Sequence, residues 1–233
     1  MNGQAQAPAP PEVSSLRMIA TLGGVALLSG VLVVLAFQFT APYIAANKRA
    51  VIEAALSHVI PGAVTRRIYT LSGAELVPGE AATGMTLYGG YDRAGRLVGI
   101  AAEAAAPGYQ DVIQILYGYG PGCRCITGMH VLQSKETPGL GDRIAKDPAF
   151  RANFEALDAR LNQEGTALAN PIVTVKHGRK RNPWEIDAIS GATVSSRAIG
   201  RMLNDSAGHL LPRLLPLLQR IERLEPERGD EAP

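Results

Sequence analysis

The chain has 233 residues, with 23 Lys and Arg against 21 Asp and Glu, and a formal net charge of +2. Beyond Arg49 the two signs balance at 20 each, so nothing in the charge argues for nucleic-acid binding, which depends on clustered Lys and Arg. Two cysteines are too few for a disulfide scaffold or a four-cysteine zinc site, and a charged share of 19% fits a folded chain rather than a disordered one.

The first residues are rich in Ala, Pro and Gln, so 1–17 reads as a disordered tail. From Met18 to Phe39 no residue carries a charge, a run of 22 residues. As a helix it measures about 33 Å, enough for a hydrocarbon core of about 30 Å. It is too long for the apolar core of a signal peptide, about 7–15 residues, and no small-x-small cleavage site follows it. The reading is an uncleaved transmembrane helix over 18–39. Arg17 lies before it and Lys48 and Arg49 after it, so the charge count tilts the C-terminal body toward the cytoplasm by a single charge.

Residues 40–60 continue as a stalk helix, with Ile44, Val51, Ala55 and Val59 at helical spacing, a kink expected at Pro42 and a stop at Pro61-Gly62. A domain over 61–224 follows. Arg66–Leu71, Met85–Tyr91, Arg96–Ala102, Asp111–Tyr117 and Cys125–Leu132 read as strands, with turn chemistry at Asp92–Gly95 and a glycine-rich break at Gly118–Gly122. Such a meander predicts a mainly antiparallel sheet flanked by helices, an α+β fold. A helix is expected over 147–163, capped by Asp147-Pro148, with Phe150, Phe154, Leu157 and Leu161 on one face. Ile172–Val175 reads as a strand, and another ends at Ile189. Helix resumes at Thr193, and a leucine-rich stretch, 210–224, is broken by Pro212 and Pro216. A charged tail, 225–233, closes the chain.

The informative segment is Asp187-Ala-Ile-Ser190-Gly191-Ala192-Thr193-Val-Ser-Ser196. It places a tight turn at a helix start, where unpaired N–H groups and the helix dipole favour a phosphate. Read from the residues alone, it fits an ordinary capped helix as well.

Asp187-x-x-Ser190-Gly191-Ala192-Thr193 resembles the flavinylation motif of the FMN-binding domain shared by the G subunit of Rnf ion-translocating electron-transport complexes and the C subunit of the sodium-pumping NADH:quinone oxidoreductase. The resemblance implies FMN joined through its phosphate to Thr193 by a separate flavin transferase, which would recognise Asp187, Ser190, Gly191, Ala192 and Thr193. Lys135-Glu136-Thr137-Pro138-Gly139-Leu140-Gly141-Asp142 resembles the family's other signature. That implies a flavin-facing loop made of Glu136, Thr137, Pro138, Gly139, Leu140 and Gly141, and Lys176 falls where relatives carry a lysine near the flavin. The two blocks lie about fifty residues apart in the family's order, which is more specific than either alone. The Gly-Asp-Arg-Ile continuation favours the Rnf protein.

The resemblance further implies a single-pass protein of the cell inner (cytoplasmic) membrane with its flavin domain on the extracytoplasmic side, against the charge count. It also implies an electron carrier working with other membrane subunits of an Rnf-type complex. Such a chain has no catalytic site of its own. The alternatives are a component of the sodium-pumping enzyme, a stand-alone or regulatory membrane flavoprotein, and a structural protein without a redox role. One departure stands out: Gly108-Tyr109-Gln110-Asp111 and Gly118-Tyr-Gly-Pro-Gly-Cys123-Arg124-Cys125 occupy the region where relatives carry a single glycine-rich stretch.

Cys123 and Cys125 share a face if they lie on a strand; the ring of a disulfide between them would be short and strained, so an ordinary thiol pair is the first reading and a disulfide or redox role the second. The four histidines show no ligand spacing with them, so no metal is expected. No haem-attachment or iron–sulfur cysteine pattern is present. Arg179-Lys180-Arg181 reads as a solvated basic run.

Overall fold

The computed structural model describes residues 14–222. The expected C-terminal tail, most of the N-terminal tail and the end of the leucine-rich stretch lie outside the described residues. The chain divides into two compact units, with the boundary between Ala50 and Val51.

The first unit is formed by helix α1 (Ser15–Val59), whose last turns belong to the second. Pro42 lies inside α1. An 18-residue window in it has a mean hydropathy of 2.4 and no buried share. A helix this long, apolar and unburied has the length and composition of a membrane span.

The second unit is built on a seven-stranded antiparallel sheet. Its strands are β1 (Thr65–Ser72), β2 (Glu75–Pro78), β3 (Met85–Tyr91), β4 (Leu97–Pro107), β5 (Val112–Gly120), β6 (Cys125–Gln133) and β7 (Leu157–Asp158). Their order is β2-β1-β3-β4-β5-β6-β7. Side chains alternate across a strand, and the two faces are covered differently. Tyr88, Ala101 and Leu116 point to one face, where they meet Ile52, Ala55, Leu56 and Val59 from the end of α1. Their neighbours Leu87, Ile100, Ala102, Ile115 and Tyr117 point to the other, into the main core. Short helices α2 (Arg143–Lys146) and α3 (Pro148–Ala152), and a parallel pair β8 (Val173–Val175) and β9 (Glu185–Asp187), flank that core. It is closed by helix α4 (Thr193–Leu214) through Ala198, Ile199, Met202, Leu203 and Leu210.

The end of α1 lies close to the sheet because two facing glycines let it. Gly118 on β5 pairs with Gly128 on β6. A Cβ on Gly118 would fall 1.9 Å from Val59 O, and one on Gly128 would fall 2.6 Å from His58 O. Thr127 Oγ1 donates to Val59 O at 2.7 Å across the same contact. Gly118 and Gly120 therefore lie within β5, where the sequence suggested a break.

The helix expected over 147–163 is confined to α3. Its start is as read: Asp147 Oδ1 accepts from Ala149 N and Phe150 N, and Pro148 occupies the first turn. Asn153 then redirects the chain. Its side-chain amide donates to Phe150 O and Asp187 O, and its Oδ1 accepts from Asp187 N. Phe150, Phe154 and Leu157 are all buried, but Leu157 reaches the core as part of β7, opposite Ile126. The strand expected to end at Ile189 ends at Asp187. Pro212 sits inside α4, and Pro216 lies in a 3₁₀ helix (Leu215–Arg220) that continues it. Cys123 and Cys125 are joined in a disulfide, not a thiol pair. The turn between them brings their Cα atoms to 5.2 Å, inside the bridging range of about 4.4–6.8 Å.

Candidate functional site

The two motif segments meet at one end of the sheet. After β6 the chain enters the 136–142 loop, folded by bonds from Leu140 N and Asp142 N to Thr137 O. Gly139 has φ +77°, a conformation that an L side chain resists. After β9 the chain passes Ser190, turns at Gly191 with φ +85°, and enters α4 with Ala192 as the flanking residue. Arg143 Nη1 donates to Ser190 O at 3.2 Å and links the two segments.

Glu136 is the hub. It is 6% exposed. Its Oε1 accepts from Tyr109 N at 2.9 Å and Gln110 N at 3.0 Å, and its Oε2 accepts a short hydrogen bond from the Ser195 hydroxyl. One carboxylate thus ties together the loop before β5, the loop after β6 and the first turn of α4. Burial pushes its pKa up, but the bonds from Ser195, Gln110, Tyr109 and Asp111 outweigh it and hold the group below its ordinary value. Gly108 and Gly141 leave it room: a Cβ on either would come within 2.6 Å of a Glu136 carboxylate oxygen.

Beside this hub lies a cavity of about 370 Å³ lined by Tyr109, Glu136, Thr137, Leu140, Gly141, Gly191, Ala192, Thr193, Val194 and Ser195. Its size falls in the range of small-molecule and cofactor sites, about 300–1,000 Å³. Tyr109 and Leu140 on its lining are 70% and 52% exposed and give the cavity an apolar rim. No side chain caps the start of α4. Ser196 instead accepts from Ile189 N and donates to Ala192 O. Thr193 is half-buried, and no hydrogen bond to its hydroxyl occurs among the described residues. The ordinary capped-helix reading of the motif therefore does not describe this helix. The first amides of a 22-residue helix, an unengaged hydroxyl and an exposed apolar rim fit a phosphate-bearing flat ring.

Of the residues singled out in the sequence, Thr193, Gly191, Ala192, Glu136, Thr137, Leu140 and Gly141 line the cavity. Pro138 and Gly139 shape the loop without lining it. Ser190 and Asp187 line a smaller neighbouring depression with Arg143 and His177. The Asp187 carboxylate accepts from Gly178 N at 2.7 Å and lies 3.4 Å from His177 Nδ1. Lys176 is exposed just beyond β8 and is not among the lining residues. Sequence reasoning did not single out Tyr109, Val194 or Ser195. The one available signal for Tyr109 was the unusual Gly108-Tyr109-Gln110-Asp111 stretch. Nothing in the sequence paired Ser195 with Glu136.

Residues 108–208 match the sequence model of the FMN-binding domain family. The G subunit of an ion-translocating oxidoreductase complex from Methanosarcina acetivorans is 34% identical over 123 residues, 53% of this chain and 57% of that protein. The G subunit of a Na(+)-translocating ferredoxin:NAD(+) oxidoreductase complex from Acetobacterium woodii is 30% identical over 113 residues, 48% and 49% of the two chains. The chain thus spans about half the length of the curated relatives it matches. Among solved structures, Shewanella oneidensis NqrC superposes with a TM-score of 0.51 at 18% identity, over 68% of this chain and 84% of that one. That likeness concerns the fold. The family match contains every residue lining the cavity. Residues 108–208 are therefore similar to an FMN-binding domain, and over about half its length the chain is similar to the G subunits of ion-translocating oxidoreductase complexes.

Proposed function

We propose that the chain is a membrane-anchored electron carrier holding FMN through a phosphoester to Thr193 Oγ1, and that it works within an Rnf-type ion-translocating oxidoreductase complex. The observation that carries this reading is the meeting of the two motif segments around one cavity, with an unengaged Thr193 hydroxyl at the start of α4. The relatives at 30–34% identity are named as G subunits, which favours this complex over the sodium-pumping quinone reductase.

FMN, when bound, supplies the one- and two-electron chemistry; the protein supplies position and electrostatics. The free amides of the first turn of α4 would hold the phosphate of an FMN joined to Thr193. Leu140 and Tyr109 offer apolar surface to a flat ring, while Glu136 fixes both loops and Ser195. A covalent anchor holds the cofactor in place without relying on affinity. A flavin transferase makes the bond, with Asp187 and Ser190–Thr193 as its recognition segment. Pro138, Gly139 and Lys176 complete the proposed flavin surroundings.

The flavin domain is assigned to the extracytoplasmic side. The disulfide supports this, because such bonds persist in oxidising compartments. A difference of one flanking charge does not prevent a domain of this length from translocating.

The test is Thr193→Val beside Thr193→Ser, each expressed with a flavin transferase. Thr193→Val should fold and lose the flavin fluorescence that survives denaturation. Flavin retained through denaturation in Thr193→Val places the linkage elsewhere.

A further inference from the structure

The Cys123–Cys125 disulfide lies at the turn joining β5 to β6. The flavin cavity begins just before β5, at Tyr109. Along β5, from Val112 to Gly120, about 27 Å of strand separates the two ends. The disulfide is therefore a separate site.

It is poorly placed to act as a staple. The gain from closing a loop grows with its length, and this bond encloses a single intervening residue. The turn is already held without it: Gly120 pairs with Cys125 in the ladder, Arg124 N donates to Gly120 O at 2.8 Å, and Arg124 O accepts from Ala159 N.

Its surroundings favour exchange. Cys123 is an exposed residue while Cys125 is 7% exposed, so the bridge is approached from solvent on the Cys123 side. Arg124, between them, has φ +52° and is the one non-glycine residue with positive φ among the described residues. A left-handed conformation is unfavourable for an L residue, and opening the bridge removes one of the ties that hold Arg124 in it.

We propose that Cys123–Cys125 is a thiol–disulfide exchange site that accepts an electron pair from a dithiol. A thiolate of the donor attacks Cys123 Sγ, forming a mixed disulfide and releasing the Cys125 thiolate. The donor's second thiolate attacks the mixed disulfide, releasing the Cys123 thiolate. The donor leaves oxidised to a disulfide, and two protons convert the two thiolates of this chain to thiols. A protein dithiol is the expected physiological donor, and a small dithiol should react in the same way.

The test uses the full chain in detergent. It is equilibrated without denaturant against mixtures of reduced and oxidised dithiothreitol, and separately against a thioredoxin-type dithiol protein. Free thiols are then alkylated and counted by mass. The bond should be present in the oxidised protein and should open reversibly in both arms, leaving the folded state and its melting temperature nearly unchanged. Arg124→Gly should shift the equilibrium about tenfold toward the disulfide by removing the backbone penalty. Reduction by dithiothreitol alone assigns a small-molecule donor and overturns the protein-donor half of the proposal. A bond that opens only in denaturant, reduction that unfolds the domain, or two free thiols in air-oxidised protein overturns the whole.

Discussion

Removing the Glu136 carboxylate should destabilise the domain and open the candidate site at the same time. The group accepts from Tyr109 N, Gln110 N and the Ser195 hydroxyl at a nearly buried position. A hydrogen bond to a charged group contributes about 1.5–3 kcal/mol, and an orphaned buried donor costs about 1–3 kcal/mol. Glu136→Ala orphans two backbone amides and the Ser195 hydroxyl, but water entering from the adjacent cavity recovers part of that loss. The expected net destabilisation is about 3 kcal/mol, against a typical domain stability of about 5–15 kcal/mol. Glu136→Gln keeps an acceptor for both amides and offers its NH2 to Ser195 Oγ. Neutral bonds are roughly half as strong as charged ones, so that variant should lose about 1.5 kcal/mol, half the loss in Glu136→Ala. The pH dependence separates them further. The folded carboxyl titrates below its usual 4.5, so its contribution is complete above that pH and is lost as pH falls through the folded-state value. Both substitutions should remove this acid-side slope. Urea unfolding of the full chain in detergent, followed by fluorescence of the single tryptophan, Trp184, measures all three proteins. A Glu136→Ala variant within about 1 kcal/mol of the parent, or a Glu136→Gln variant as damaged as Glu136→Ala, refutes the hub role.

Gly118→Ala would put a Cβ 1.9 Å from Val59 O, forcing the end of α1 away from the sheet and breaking the Thr127–Val59 bond. Overpacking and the lost bond together should cost about 3 kcal/mol, read by urea unfolding, and an unchanged midpoint contradicts that packing. His130 stacks on His58 with ring centroids 5.8 Å apart, and burial, His58 and Arg151 hold its pKa below the ordinary 6.5. The unfolded chain then binds more protons just below that pH, so stability should fall as the medium is acidified through this window. His130→Gln should flatten that slope, and a slope of the same size in the variant assigns it to other groups.

The sheet was legible in the sequence because its strands alternate and its turns carry Asp, Gly and Pro at the right offsets. The ladder extends through Gly118 and Gly120, which read as a break. The signal there was misleading because these glycines serve a close approach by the end of α1, a tertiary demand that no local pattern shows. The stretch after Asp147 carried true burial information, since Phe150, Phe154 and Leu157 are all core. Its period was read as helical because nothing local announces that Asn153 bonds Asp187, 34 residues away. β2 escaped notice, being four residues with one buried side chain. At the site, both motif loops were visible as turn chemistry, and their resemblance to a family joined them. The hydrogen bonds by which Glu136 unites three segments were not visible, because Tyr109 and Ser195 are distant from it in sequence. The disulfide was discounted on ring size, whereas Arg124 takes a conformation that accommodates the bridge.

The central claim is tested most directly by the mass of the denatured protein, purified from membranes of a host with an active flavin transferase, followed by peptide mapping. The account predicts a gain equal to FMN less one water, located on the peptide containing Thr193 and absent from Thr193→Val. An unmodified mass from that host, or a flavin mapped to another residue, contradicts it.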